Sequence, residues 1–259
     1  MGGPQPDPMI IRKSPEDIDN LASLGRLLAS ILRRLAESIR PGVTTTRDLD
    51  TLALRLLDEN NVYPAFKGYR GYPDALCVAV NEQVVHGIPN DRPLLEGDIV
   101  GLDIGIVRDR YYADGAWTYP VGQVSKEAQR LLNVTREALY QGIAQAKPGN
   151  RVGDISAAVQ RYVESNGYSV VRELVGHGIG FAIHEDPAVP NFGRADSGPR
   201  LEPGMTICIE PMVNMGSKDV EFLDDKWTVV TRDRKLSAHF EHMVAVTQDG
   251  PLILTVEEG

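Results

Sequence analysis

Residues 176–187 of the chain read G-H-G-I-G-F-A-I-H-E-D-P, and the other motifs of the sequence are arranged around this stretch. Two of the five histidines, His177 and His184, lie here, with three glycines around the first. Their spacing of seven does not fit the one-turn pairing of a zinc-binding helix, and glycine at this density weakens a helix. A short strand followed by a loop is therefore predicted, in which glycine lets the backbone and the imidazoles approach a ligand closely.

The composition of the 259 residues is typical of a soluble globular protein, with 42% hydrophobic and 24% charged residues. No apolar run approaches the roughly 18 residues of a membrane span, and the N-terminus has no export signal. A net charge of −9 argues against a general nucleic-acid binder. Cys77 and Cys208 lie in apolar, strand-like sequence, which favours free thiols in a reduced cytoplasm. Residues 1–8 are predicted to be a flexible lead-in, and residues 9–259 to form a single domain.

Helix signals occur in two pairs along the chain. A capping serine, a proline and acidic residues at 14–17 begin the first helix, which stops at Pro41-Gly42. The second helix runs from about Thr46 to Asn60. The same pattern returns in a long helix over about 125–146, stopped by Pro148-Gly149, and in a shorter helix that ends at Asn166-Gly167.

The strands that follow each helix pair also resemble each other. L-E-G-D-I-V-G-L-D at 95–103 matches L-E-P-G-M-T-I-C-I-E at 201–210, so that Asp103 corresponds to Glu210. An H-x-x-P motif occurs in each half, beginning at His86 and at His184. Helix stops and strands can recur by chance, but acids at the same strand position argue against chance. We therefore predict a duplicated helix-helix-strand unit with a site between pseudo-symmetric halves.

Four carboxylates interrupt sequences that otherwise read as buried strands: Asp103, Asp114, Glu210 and Glu241. With a turn at Arg108-Asp109, Asp103 would lie directly opposite Asp114 in a hairpin, with β-carbons ~4.5–5.5 Å apart. Two such carboxylates repel each other unless one is protonated or a cation lies between them. A single strand acid is more often an edge residue or a satisfied buried acid. Four of them, together with His177, favour two divalent ions, because five ligands exceed the needs of one tetrahedral zinc.

In combination and order, the motifs resemble those of the type 1 methionine aminopeptidases in their short bacterial form, over nearly all of residues 9–255. The motifs are V-N-E-Q-V-V-H-G-I-P (80–89), D-I-G (103–105), Y-A-D (112–114), G-H-G-I-G (176–180), H-E-D-P (184–187), I-E-P-M (209–212) and S-A-H-F-E-H (237–242). The resemblance implies the α+β pita-bread fold of creatinase and the aminopeptidases. The pseudo-two-fold symmetry of that fold agrees with the repeat.

The resemblance also implies a mechanism: removal of the initiator methionine from nascent proteins and peptides, preferably before a small second residue. Two divalent ions (cobalt, manganese, iron(II) or zinc) would activate a shared water, with Glu210 as proton shuttle and His184 stabilising the tetrahedral intermediate. His86 would lie near the scissile nitrogen, although by itself a histidine in such a turn is more often structural. The implied metal ligands are Asp103, Asp114, His177, Glu210 and Glu241, with Asp114 and Glu241 bridging.

Further residues follow from the resemblance. The methionine pocket maps to Tyr69, Tyr72, Cys77 and Trp227, although aromatic clusters of this kind are more often packing residues. A monovalent-cation site maps to Asn81, Gln83 and Ser237. Phe66, Phe181 and Ile183 depart from the family pattern near the pocket. His239 and His242 flank Glu241, but neighbouring strand residues face opposite sides, so neither receives a role.

The implied partner is a peptide or nascent chain that begins with methionine, handled by a cytoplasmic monomer with transient ribosome association. Arginines at 26, 33, 34 and 40 could contribute to that association, with a solvated helix face as the alternative. One rival function is that of the Xaa-Pro aminopeptidases or creatinase-like hydrolases, which usually carry an additional N-terminal domain. Another is a non-catalytic relative that binds peptides, but such proteins lose metal ligands that are all present here.

Overall fold

The structure, a computed structural model, describes residues 9–256, and the lead-in predicted for residues 1–8 lies outside the described residues. Four long helices occur in two pairs, as the sequence indicates: α1 (Pro15–Glu37), α2 (Thr46–Glu59), α3 (Lys126–Ile143) and α4 (Val152–Ser165). Helix α1 ends before the predicted Pro41 stop, because the Ser38 hydroxyl donates to the Leu35 carbonyl at 2.7 Å and closes the last turn.

The helix starts are set by side-chain caps. Ser14 and Asp17 form a capping box at α1, and Thr45 and Asp48 form another at α2. The Ser125 side chain accepts from the Ala128 N–H at the start of α3. These bonds satisfy backbone donors that would otherwise be orphaned, which explains why the starts of these three helices could be read from the sequence.

Fifteen short strands are assigned within residues 9–256, with a 3₁₀ turn at Tyr69–Gly71. They are β1 (Tyr63–Pro64), β2 (Cys77–Val80), β3 (Gln83–Val85), β4 (Ile99–Arg108), β5 (Tyr111–Pro120), β6 (Ser169–Val170), β7 (Gly176–Gly178), β8 (Glu185–Val189), β9 (Thr206–Ile209), β10 (Met212–Asn214), β11 (Val220–Phe222), β12 (Val229–Thr231), β13 (Ser237–His239), β14 (His242–Thr247) and β15 (Gly250–Ile253).

The strands form four small sheets. Strand β4 pairs with β5 on one edge and with β1 and β2 on the other. The five-stranded sheet has the order β15-β14-β9-β7-β8, and the two three-stranded sheets are β13-β10-β6 and β11-β12-β3. Every named pairing is antiparallel, in agreement with an α+β architecture.

The predicted register of the β4–β5 hairpin is wrong. Its turn lies at Asp109-Arg110, one position later than expected, with Asp109 at a φ of 56°. Asp103 therefore pairs with Ala116 rather than with Asp114, which pairs with Gly105. Because this shift moves the pairing by two residues, Asp103 and Asp114 still share a face of the sheet as diagonal neighbours.

Two main hydrophobic clusters correspond to the two halves. The first joins α1 and α2 to β2 and β4, and the second joins α3 and α4 to β9 and β14. The halves are connected beside β5, where the Glu241 N–H donates to the Ala116 carbonyl at 2.8 Å and the Thr118 hydroxyl donates to the His239 carbonyl at 2.7 Å. These bonds fix residues 239–241 against the hairpin that carries two of the four acids.

No helix within residues 9–256 combines the length and the apolar character that a membrane crossing requires. Cys77 and Cys208 are free and buried, as predicted.

Candidate active site

The five predicted metal ligands converge on one cavity between the two halves. Each comes from a different segment: Asp103 from β4, Asp114 from β5, His177 from β7, Glu210 from the end of β9, and Glu241 from the break between β13 and β14. The His177 Nε2 atom lies 3.5 Å from the Glu210 Oε1 atom and 3.8 Å from the Asp114 Oδ2 atom.

The acids in this cluster have carboxylate oxygens that are unpaired within residues 9–256 and raised pKa values, as expected where several carboxylates are buried together. Asp103 Oδ1 and Glu241 Oε1 are buried and have no hydrogen-bond partner among the described residues. Burial, and then the charge of Asp114, raises the pKa of Asp103 and Glu241 well above the ordinary values. Burial likewise raises the pKa of Glu210 well above its ordinary value and that of Asp114 to about 7. A divalent cation would pair these oxygens, so the residues present fit a metal centre.

His177 is neutral and directs a nitrogen lone pair toward the same acids. Burial and the neighbouring His184 lower its pKa to about 3, so the imidazole is neutral at pH 7. Its Nδ1 atom lies 2.9 Å from the Gly178 carbonyl, which can only accept a hydrogen bond. The proton therefore resides on Nδ1, and the Nε2 lone pair faces Glu210 and Asp114.

Cys208 lies beside these ligands, although the sequence analysis assigned it no role. Ligand atoms of Asp114, His177, Cys208 and Glu241 all lie within 4.8 Å of one another. Burial, and then the charge of Glu241, raises the pKa of the Cys208 thiol well above its ordinary value. A neutral thiol is a weak ligand, so Cys208 is better suited to orienting Glu241 than to binding a cation. Its position two residues before Glu210 on β9 was the signal available in the sequence.

His184 lies at the mouth of the cavity. Its ring centroid is 4.3 Å from that of His177, and it stacks on Tyr69 with a centroid separation of 5.1 Å. The Tyr69 hydroxyl lies 3.0 Å from the Nδ1 atom of His184. Burial and the charge of Arg70 lower the pKa of His184. A neutral ring whose Nδ1 accepts from Tyr69 carries its own proton on Nε2, where it can be donated.

The remaining predicted substrate residues line the same cavity. Tyr69, Tyr72, Cys77, His86 and Trp227 all border the cavity, together with Phe66. Trp227 contacts Tyr72 edge-on at 5.2 Å between ring centroids and His86 at 6.5 Å. Burial, and then the charge of His184, lowers the pKa of His86 to about 4.

Ile183 and Phe181, two of the residues that depart from the family pattern, are not among the residues that line the cavity. Ile183 is buried, and it and Phe66 are the residues that a β-carbon at Gly105 would meet. Phe181 packs against Tyr111 at 5.9 Å between ring centroids, away from the cavity lining. Of the three departures, Phe66 therefore bears most directly on the shape of the pocket.

His239 and His242 behave differently from each other. His239 lines the cavity, and its Nε2 atom lies 3.6 Å from Glu210 Oε2 without a hydrogen-bond partner among the described residues. His242 faces the other way, with Nδ1 2.9 Å from the Thr255 hydroxyl. His239, for which no role is predicted from the sequence, thus lies beside Glu210 and lines the same cavity as Glu241.

The three residues of the predicted monovalent-cation site lie close together. The Ser237 N–H donates to the Asn81 carbonyl at 2.9 Å, and the Ser237 hydroxyl donates to Asn214 Oδ1 at 2.9 Å. The Gln83 side chain accepts from the Val80 N–H at 2.8 Å. Asn81 adopts a φ of 56°, which turns the chain at this point.

Comparisons with known proteins agree with this geometry. A family model described as metallopeptidase family M24 matches residues 19–248. Methionine aminopeptidase 1 of Bacillus subtilis is 50% identical over 95% of this chain and 99% of its own length. The methionine aminopeptidase of Clostridium perfringens is 50% identical over 96% of this chain and 99% of its own length.

Solved structures agree as well. The methionine aminopeptidases of Rickettsia prowazekii and Thermotoga maritima both superpose with a TM-score of 0.94, at 40% and 45% identity, over 96% of this chain and 100% of theirs. The prolidase of Pyrococcus horikoshii shares the fold, with a TM-score of 0.78 at 22% identity over 96% of this chain and 65% of its own. These matches confirm the pita-bread fold predicted from the sequence. The chain belongs to metallopeptidase family M24 and, within it, to the methionine aminopeptidases.

Proposed function

We propose that the protein is a dinuclear metallopeptidase that removes the N-terminal methionine of peptides and nascent proteins. The observation that carries the proposal is the convergence of four carboxylates and one neutral imidazole on a single cavity, with two buried carboxylate oxygens that have no hydrogen-bond partner within residues 9–256. The names of the relatives support the substrate, because this chain matches methionine aminopeptidases over nearly its whole length.

The residues that we propose would hold two divalent ions are Asp103, Asp114, His177, Glu210 and Glu241. An oxygen-rich set with one imidazole suits manganese, iron(II), cobalt or zinc. When bound, the ions supply a water of lowered pKa and polarise the scissile carbonyl.

Glu210 is the proposed proton shuttle. It faces the cavity between His177 and His239, and burial raises its pKa. A carboxylate whose pKa lies nearer to neutrality can accept a proton from water and return it to the leaving nitrogen at neutral pH. His239, at 3.6 Å, is suited to holding the Glu210 carboxylate in that orientation.

His184 is the proposed donor to the developing oxyanion. The Tyr69 hydroxyl occupies Nδ1, which leaves the Nε2 proton available. Such a donor is most effective where charge develops during the reaction, because it is already oriented. His86, which lines the same cavity, would contact the scissile nitrogen and the second residue of the substrate.

Tyr69, Tyr72, Cys77 and Trp227 form the proposed methionine pocket, with Phe66 beside them. Aromatic faces and edges with a buried thiol suit a flexible, polarisable thioether. A bulky second residue would crowd His86 and His184, so we propose a preference for a small residue after the methionine. Asn81, Gln83 and Ser237 are the proposed site of one monovalent cation.

A single catalytic domain over residues 9–259, acting in the cytoplasm as a monomer with transient ribosome association, completes the proposal. Two of the arginines considered for ribosome contact pair with acids on exposed helix faces: Arg33 with Glu37, and Arg34 with Glu59. This pairing favours the solvated-face alternative for these two residues.

Steady-state kinetics on tripeptides test the proposed roles. Manganese-loaded protein should cleave Met-Ala-Ser much faster than Met-Leu-Ser. Glu210→Gln should lower kcat for Met-Ala-Ser by about 100-fold or more, and His184→Ala should lower kcat by about 100–1,000-fold, as expected for loss of a positioned donor. Equal cleavage of the two peptides would contradict the proposed second-residue preference. Unchanged kcat in either variant would contradict the role assigned to that residue.

A further inference from the structure

The segment before α1 delivers a buried lysine to the turn that carries His184. The side chains of Lys13 and Glu185 are 1% and 5% exposed, and the Lys13 Nζ atom forms an ion pair with Glu185 Oε2. The same Nζ atom donates to the Ile11 carbonyl at 3.2 Å. Burial of a lysine and a glutamate is costly unless they pair, so this contact is a strongly specified one.

The other carboxylate oxygen of Glu185 closes the turn. Glu185 Oε1 accepts from the backbone N–H groups of Phe181 at 2.6 Å and Ala182 at 3.0 Å. Because Glu185 directly follows His184, the carboxylate that holds Lys13 also fixes the backbone on both sides of the imidazole. His184 otherwise contacts Tyr69 and His177 through its ring.

Packing leaves little freedom for the lysine. A β-carbon at Gly180 would lie 2.3 Å from Lys13 Cε, and the Lys13 Nζ atom lies 5.4 Å from the Phe181 ring centroid. The Lys13 backbone is held as well, since its N–H donates to the Gly204 carbonyl at 2.7 Å. Gly204 lies shortly before β9, the strand that leads to Glu210.

We propose that Lys13 is a positioning residue: through Glu185 it holds the His184 imidazole where the reaction requires it, and thereby makes the N-terminal segment part of the support of the active site. The inference rests on the function proposed for His184. A merely structural ion pair would contribute to folding stability, and its loss would not act on kcat through His184.

A double-mutant cycle for kcat and KM separates these two roles. With Met-Ala-Ser as substrate, Lys13→Met should lower kcat about 10–100-fold with little change in KM, because misplacement of a catalytic group by about 1 Å can cost up to about 100-fold in rate. In the His184→Ala background, Lys13→Met should change kcat by less than about twofold, since the group it positions is already absent.

Arg12→Met is the matched control. Arg12 precedes Lys13 and forms an exposed ion pair with Glu202 at 3.1 Å, so kcat should stay within about twofold of the wild type. The proposal is overturned if Lys13→Met leaves kcat unchanged, or if it lowers kcat equally in the wild-type and His184→Ala backgrounds.

Two further measurements keep the test independent of folding and of activity. If Lys13→Met does not fold, the double variant Lys13→Met/Glu185→Gln removes both charges and keeps an amide oxygen for the Phe181 and Ala182 N–H groups. That variant should fold and still have a lowered kcat, and a wild-type kcat would overturn the proposal.

Hydrogen exchange at Phe181 and Ala182 should accelerate in Lys13→Met but not in Arg12→Met, and unchanged exchange would also overturn the proposal. If the wild-type protein releases no methionine, the proposed function fails, while the exchange result still decides whether Lys13 anchors the turn.

Discussion

At the scale of single residues, Asp103 gives the sharpest prediction, because one of its oxygens is buried and has no hydrogen-bond partner in the part of the chain that the structure describes. Asp103→Asn should lower bound metal below two ions per chain and reduce methionine release by at least about 100-fold, since even outer-shell substitutions cost about 10–100-fold. Elemental analysis of dialysed protein together with kinetics checks this outcome. The exposed Asp91→Asn is the control and should match the wild type. Full metal content and turnover in Asp103→Asn would refute the ligand assignment.

A second residue-scale prediction concerns the hydroxyl that orients His184. Tyr69→Phe keeps the ring that stacks on His184 but removes the hydrogen bond of 3.0 Å to Nδ1. Loss of one hydrogen bond of about 0.5–1.5 kcal/mol should lower kcat/KM for Met-Ala-Ser about 2–13-fold. Tyr63→Phe, on an exposed strand position, should leave kcat/KM unchanged. An unaltered rate in Tyr69→Phe would mean that the hydroxyl does not orient the imidazole.

The sequence alone was informative about residues that break a pattern. Asp103, Asp114, Glu210 and Glu241 could be found because each interrupts or ends an apolar, strand-like run of sequence, and the structure brings all four to one cavity. His239 and Cys208 were missed because histidine and cysteine fit a buried strand without any break in the pattern. Their proximity to Glu210 and Glu241 depends on distances between strands, which local patterns do not contain.

At the scale of elements, alanine substitutions at two glycines of strand β4 are expected to have different effects. A β-carbon at Gly105 would lie 2.7 Å from Phe66 Cε1 and 3.0 Å from Ile183 Cδ1. Gly105→Ala should therefore displace Phe66 at the pocket, or Ile183 beside His184, and destabilise the protein by about 1–3 kcal/mol while raising KM or lowering kcat. Urea unfolding and kinetics measure both effects.

Gly101 provides the control on the same strand. A β-carbon there would lie 3.5 Å from its nearest neighbours, an ordinary contact distance. Gly101→Ala should therefore cost less stability than Gly105→Ala and leave kcat and KM within about twofold of the wild type. Equal effects from the two substitutions would show that the close contact at Gly105 is not what distinguishes them.

The helix starts could be predicted because short-range hydrogen bonds determine them, whereas the position of the β4–β5 turn depends on how the two strands pair. The Ser14 and Thr45 caps identify the starts of α1 and α2 because each forms its hydrogen bonds with a residue only three positions later in the sequence. The β4–β5 turn was placed one residue early because Arg108-Asp109 and Asp109-Arg110 are equally acceptable as polar turns. The left-handed φ of Asp109 becomes evident only when the strands are paired.

At the scale of the whole molecule, the buried acids predict how stability depends on pH in metal-free protein. Asp103, Glu210 and Glu241 have raised pKa values, and that of Asp114 is about 7, so the folded state binds more protons than the unfolded state near neutrality. This contribution is present at low pH and is lost as pH rises through the folded pKa values. The buried histidines have lowered pKa values, so they oppose the acids as long as the unfolded imidazoles bind protons, and this opposition fades only about one pH unit above their unfolded pKa of about 6.5.

Between pH 7.5 and 8.5, where unfolded histidines are largely neutral, the free energy of unfolding of chelator-treated protein should therefore fall as pH rises, by about 1.4 kcal/mol per pH unit for each extra proton bound. Urea unfolding at three pH values measures the slope. Saturating manganese should remove the decline, because the cations take the place of the protons. Metal-free stability that is constant or rises over this range would contradict the burial of several acids in one cluster.

The two-half architecture could be predicted because the repeat is present in the sequence itself. The helix pairs and the match of Asp103 with Glu210 indicated a site between the halves, and the cavity lies there. The bonds that connect the halves, from Glu241 to Ala116 and from Thr118 to His239, could not be predicted. They join residues far apart in sequence, and nothing in either segment specifies the other.

The most direct test of the central claim is peptide hydrolysis by metal-stripped protein, with Met-Ala-Ser beside Ala-Pro-Ala, before and after manganese is added back. We expect no product without metal and release of methionine from Met-Ala-Ser alone once the metal is restored. Cleavage of Ala-Pro-Ala instead would contradict the methionine specificity and favour a proline-directed peptidase of the same fold. Binding of two ions without cleavage of either peptide would contradict the enzymatic function itself.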